Sequence, residues 1–95
     1  MTKQEYLMIV AMEECAEVAQ ALSKCIRFGP NAFAPFDSNK DPATNVERVC
    51  EELDDLVAVL EMLFMDHELN FLEFSEANKQ RKKEKVRLFM PEDLK

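Results

Sequence analysis

The run Glu13-Glu14-Cys15-Ala16-Glu17 sets two carboxylates, Glu14 and Glu17, three residues apart. On a helix that spacing stacks both on one face, a turn apart. Glu52 and Asp55 repeat it further along the chain. If the two segments are consecutive antiparallel helices of a bundle, the four acids meet. At roughly 4 Å and an effective dielectric near 20, each like-charged pair then costs about 4 kcal/mol. Protonation relieves that repulsion, and so does a divalent cation, which leaves the groups charged. Oxygen ligands with no His or Cys among them suit Mg²⁺, with Mn²⁺ as its substitute, better than Zn²⁺. A solvated acidic face explains either pair alone more plainly. Both pairs, however, interrupt strongly apolar stretches, where unpaired acids are least expected. That favours a metal site of Glu14, Glu17, Glu52 and Asp55.

The elements that must position these acids are helices. Apolar residues from Leu7 to Ile26 cover more than one stripe, so a first helix is expected from about Lys3 to Arg27, buried on most of its circumference. Gly29-Pro30 ends it. A loop follows to Pro42, with Asn31, Pro35, Asn39 and Asp41 supplying turn chemistry and Phe28, Phe33 and Phe36 expected to anchor it on the core. Thr44-Asn45-Val46-Glu47 is a capping box, and the second helix runs on to about His67. Val46, Val49, Cys50, Leu53, Leu56, Val57, Leu60, Leu63 and Phe64 recur at helical spacing as its core stripe. Asn45, Arg48, Glu52, Asp55 and Val59 form a strip beside it, which selects Glu52/Asp55 over the alternative phase Glu51/Asp54. A weaker capping box, Asn70 to Glu73, opens a third helix from Phe71 to Phe89, kinked near Ser75. The lone histidine, His67, is explained by the dipole at a helix end. The expected fold is all-α, one domain over residues 1–95: a small bundle of three main helices with room for a fourth short one.

Composition agrees. The hydrophobic fraction is 47% with a single glycine, too apolar for a disordered chain and too poor in turn residues for an all-β fold. So many apolar residues exceed what one small monomer hides, and some are expected between subunits. Met8, Met12, Met62 and Met65 read as core or interface filler. Nineteen acidic against twelve basic residues give a net charge of −7, the wrong sign for a general nucleic-acid binder. Charged residues interrupt every apolar run, so no membrane span is expected. Three cysteines without CxxC spacing read as reduced, largely buried thiols of a cytoplasmic protein.

EECAE followed by EELDD resembles the EExxE…ExxD signature of the MazG-like all-α nucleoside triphosphate pyrophosphohydrolases. The flanking LSKCIRFG, NVERVCEELDDLVAVLEML and KKEKV are similar to small phage and bacterial members, from about Met8 to Val86. The resemblance implies a Mg²⁺-dependent hydrolase that converts a (deoxy)nucleoside triphosphate to the monophosphate and pyrophosphate. It implies Glu14, Glu17, Glu52 and Asp55 as metal ligands, with Glu13 as the preceding motif glutamate of the catalytic set. It also implies a homodimer, or a tetramer of two dimers, with sites near subunit interfaces.

An acidic cluster needs cationic help to hold a triphosphate. Arg48, one turn before Glu52, is the first candidate; Lys82 and Lys83 follow, because they resemble the family's C-terminal basic cluster. Lys24 and Arg27 on the first helix are further candidates, and Asn45 and Asn78 are candidates for sugar or phosphate. Some of these can reach the acids from a neighbouring chain. Rival readings are a dUTP-, dCTP- or phosphoribosyl-ATP-directed hydrolase with the same carboxylates, or a helical assembly or nucleotide-binding regulatory module without turnover.

Overall fold

The computed structural model describes residues 1–33, 42–65 (the Met65 side chain excepted) and 73–95. The chain is all-α, as expected: α1 (Lys3–Phe28), α2 (Asn45–Met65), α3 (Glu76–Phe89) and a short 3-10 turn at Glu92–Leu94. Pro35, Phe36, Asn39, Asp41, His67, Asn70 and Phe71 lie outside the described residues. Ser75 caps the start of α3, its hydroxyl accepting the Asn78 amide at 3.1 Å, rather than kinking a helix already begun at Phe71. Serine competes for backbone amides, and that suits a cap better than a helix interior.

Capping boxes open both long helices. Thr2 and Glu5 form one, with the Glu5 amide donating to the Thr2 hydroxyl at 3.0 Å. At α2 the Glu47 amide donates to the Thr44 hydroxyl at 3.2 Å, and the Thr44 amide returns a bond to the Glu47 carboxylate at 3.1 Å. Thr44→Ala is expected to cost about 1 kcal/mol of stability, read as a lower urea midpoint at unchanged m-value.

α1 ends at Gly29, whose φ of +98° is a conformation that L side chains rarely adopt. Its amide donates to the Cys25 carbonyl at 3.0 Å. Asn45 then closes the turn. Its backbone amide donates to the Ala32 carbonyl at 2.9 Å, and its side-chain amide donates to the Gly29 carbonyl at 2.9 Å. Only 1% of Asn45 remains exposed. This clasp sets the rotation of α2 against α1.

The two helices pack as an antiparallel hairpin. Its inner stripe alternates steps of three and four residues, the pattern of helices crossing at about 20°. On α1 it comprises Gln4, Leu7, Ala11, Glu14, Val18, Ala21 and Cys25; on α2 it comprises Asn45, Val49, Glu52, Leu56, Val59 and Leu63. Leu7, Ala11, Ala21 and Leu63 are the buried apolar members. The seam of α2 keeps Val49, Leu56 and Leu63 of the expected core stripe and takes in Asn45, Glu52 and Val59 from the strip expected beside it. The strip carrying Asn45 and Glu52 lies in the interface rather than beside it, because the Asn45 clasp outweighs the apolar pattern.

What the rotation displaces becomes an outer stripe. Met8, Met12, Cys15, Ala19, Leu22 and Ile26 on α1 are all exposed. Val46, Cys50 and Leu53 on α2 are exposed too, while Val57, Leu60 and Phe64 are half-buried. Hence Cys15 and Cys50 are surface thiols rather than buried ones, and Met8 and Met12 fill no core within one chain. Phe28 and Phe33 are likewise exposed rather than packed into the core, and Phe28 carries the Arg27 guanidinium 5.2 Å from its ring centre. Among the described residues α3 packs on neither α1 nor α2, and every residue of it is exposed.

Candidate metal centre

Glu14 and Glu52 occupy facing positions of the inner stripe, near the middle of the hairpin. Each sits where an apolar side chain otherwise belongs. Glu17 lies three residues beyond Glu14 on the edge of the seam and is exposed. One carboxylate oxygen from each of Glu14, Glu17 and Glu52 comes within 4.8 Å of the other two. Asp55 is outside this triple but close enough for its charge to act on both Glu14 and Glu52.

Burial raises the Glu14 carboxyl above its ordinary 4.5, and the charges of Glu17, Asp55 and Glu13 raise it further. Burial likewise raises Glu52; a hydrogen bond with Glu17 and the charges of Glu17, Asp55 and Glu14 add to the effect. A hydrogen bond between two carboxyls requires a proton on one of them. Even so, Glu14 Oε2 and Glu52 Oε2 are buried without any hydrogen-bond partner. Buried acceptors of this kind are costly to leave unsatisfied. A hard divalent cation would supply both what the oxygens lack and the charge the cluster needs.

The remaining expected site residues divide sharply. Arg48 is half-buried one turn from Glu52, with Nη1 on the Glu51 carboxylate at 2.7 Å. Lys24 is half-buried seven residues past Glu17, on the same edge of α1. Because the helices are antiparallel, Lys24 and Arg48 lie toward the same end of the cluster. Glu13 is exposed on its flank, and Arg27 is exposed at the end of α1.

Asn45 must be corrected: it is enclosed and holds the Gly29 carbonyl, so it does not face a ligand. Lys82, Lys83 and Asn78 are exposed on α3 and are not brought to the carboxylates within a single chain. Asn78 Oδ1 instead accepts from Arg81.

The sequence reading missed the opposite end of this edge. Tyr6 and Val10 precede Glu13 and Glu17 by seven residues, and Met62 follows Asp55 by seven, so all three share the carboxylate edge. Tyr6 and Met62 are exposed. The edge thus runs from cationic through anionic to apolar. Repeating the seven-residue step from the acids in both directions would have found it.

Comparison of the chain with family models, with curated proteins and with solved structures finds no match.

Proposed function

We propose that the chain is a Mg²⁺-dependent pyrophosphohydrolase that converts a (deoxy)nucleoside triphosphate to the monophosphate and pyrophosphate. The observation that carries this reading is the triple of half-buried Glu14 and Glu52 with exposed Glu17, in which Glu14 and Glu52 each leave a carboxylate oxygen without a partner. Those three residues, joined by Asp55, would hold the cation. Bound there with a triphosphate, Mg²⁺ supplies charge neutralisation and a lowered pKa for water.

The chain's own residues do the rest. Lys24 and Arg48 bind the β- and γ-phosphate end, and Tyr6, Val10 and Met62 give the nucleoside an apolar resting place. Glu13, on the exposed flank, orients the attacking water and takes its proton. A bond forms from water oxygen to the α-phosphorus while the bond to the bridging oxygen breaks, and pyrophosphate leaves. Positioning and preorganised charge supply the acceleration.

Incubation with a panel of dNTPs and Mg²⁺, with the products resolved chromatographically, tests the reaction type. The expected products are the monophosphate and pyrophosphate. Orthophosphate and diphosphate as the only products would sink it. Binding of nucleotide and Mn²⁺ without turnover would move the reading to a regulatory module.

A further inference from the structure

On the carboxylate edge of α1, Tyr6, Glu13, Gln20 and Arg27 follow one another at seven-residue steps, and Val10, Glu17 and Lys24 do the same beside them. The proposed chemistry occupies this edge from Tyr6 as far as Lys24. Arg27 stands about one turn further, in the last turn of α1. A nucleoside triphosphate gives it nothing to hold, because Lys24 and Arg48 already meet the terminal phosphate. The helix dipole accounts for a cation at this position, but not for its surroundings. The Arg27 guanidinium lies 5.2 Å from the centre of the Phe28 ring, and Phe28 is 41% exposed. Phe33, whose backbone bridges to Thr44 at the same end of the hairpin, is 61% exposed. A guanidinium stacked beside exposed aromatic rings is a platform for a flat heterocycle, since each offers a π-face or a planar cation.

We infer that this platform seats a second nucleoside, so that the chain accepts dinucleoside polyphosphates, in which each end of the phosphate chain carries a nucleoside. The inference rests on the catalytic reading above and extends it. Each nucleoside then has an aromatic support, Tyr6 at one end and the Arg27–Phe28 pair at the other. The phosphates run between them, past the acids and toward Lys24 and Arg48.

The spacing along α1 also decides where such a molecule is cut. At about 1.5 Å per residue, Tyr6 stands about 10 Å before Glu13, while Arg27 stands about 21 Å beyond it. The acids are therefore much nearer the nucleoside on Tyr6. Water oxygen bonds to the α-phosphorus of that nucleoside as the bond to the bridging oxygen breaks. The electron pair of the broken bond stays on the bridging oxygen, and the proton from water passes to Glu13. The remainder leaves with the second nucleoside still attached. Cleavage is thus asymmetric: diadenosine tetraphosphate gives AMP and ATP, whereas a cut at its middle gives two ADP.

Turnover of ATP, adenosine tetraphosphate and diadenosine tetraphosphate by the full chain with Mg²⁺, read from the first products formed, tests the inference. Diadenosine tetraphosphate should give AMP and ATP, with kcat/KM about tenfold above that of adenosine tetraphosphate, which carries the same phosphates without the second nucleoside. Equal values would leave Arg27 a phosphate contact only, and ADP as the product would misplace the cut; either overturns the inference. Phe28→Ala should erase the tenfold ratio and Phe28→Trp should keep it; a ratio unchanged in Phe28→Ala overturns it too. If Phe28→Ala fails to fold, the wild-type ratio decides. Cleavage of ATP without cleavage of diadenosine tetraphosphate sinks the inference and leaves the catalytic reading standing. If nothing is cleaved, the catalytic reading falls and calorimetry with Mn²⁺ decides on the platform. Diadenosine tetraphosphate should still bind about tenfold tighter than adenosine tetraphosphate, and equal affinities would overturn it.

Discussion

Glu52→Gln is expected to reduce Mg²⁺-dependent pyrophosphate release by about a hundredfold to a thousandfold while leaving the helices intact. The carboxylate faces Glu14 and Glu17 across the seam, and one of its oxygens is buried without a partner. Glutamine keeps the shape and one oxygen but removes the charge that a cation requires. Its amide can also donate to Glu17, so in metal-free protein the exchange relieves repulsion rather than creating it. The variant should therefore be at least as stable as wild type at neutral pH, yet gain no stability from Mn²⁺. Those two readouts separate a ligand from a merely structural acid, whose loss would lower stability and leave metal response unchanged. Turnover within tenfold of wild type would exclude Glu52 from the metal centre.

Tyr6 and Asn45 show what could and could not be read in advance. Helix positions and the Thr44 cap follow from local sequence, because caps and breakers act within a turn of the residues that carry them. The carboxylate spacing is local too, so the acids were identifiable as a group. The rotation of α2 was not. The apolar pattern of that helix is wide enough to offer two seams, Asn45 to Leu63 or Val46 to Phe64, and hydrophobicity favours the second. A buried side-chain amide reaching sixteen residues back to the Gly29 carbonyl decides for the first. Such a contact has no signature in a single sequence. Its consequence is large, since it brings Glu52 into the seam and leaves Val46, Cys50 and Leu53 exposed. The place of Tyr6 on the carboxylate edge was hidden for the same reason: that edge is defined only once the seam is fixed. Lys82 and Lys83 stand apart from the acids within one chain for a different reason. Their charge suits phosphate, but α3 has too little apolar surface to dock on its own hairpin.

Mn²⁺ should stabilise the protein strongly at about pH 8 and weakly at about pH 5. Glu14 and Glu52 stand above their ordinary 4.5, first because they are buried and then because their acidic neighbours crowd them. Each adds most stability when protonated, fully so below the unfolded value, and that contribution is lost as pH rises through the raised one. Metal-free protein should consequently weaken as pH rises from 4.5 through the raised values. Glu47 runs the other way. Its bonds to Thr44 lower it, so its share is present above 4.5 and lost as pH falls through the lowered value. Acid far below 4.5 should therefore unfold the α2 cap even though the cluster is then uncharged. Binding of a cation demands the deprotonated acids, so affinity rises over the same range in which the metal-free fold weakens. At an ion concentration of about 100 times Kd, the stabilisation is about 2.7 kcal/mol, or on the order of 10 °C in Tm for a domain of this size. Thermal unfolding at both pH values, with and without Mn²⁺ and at one protein concentration, measures it. Equal shifts at the two pH values would mean that the ion binds elsewhere, because binding to the crowded cluster must displace its protons.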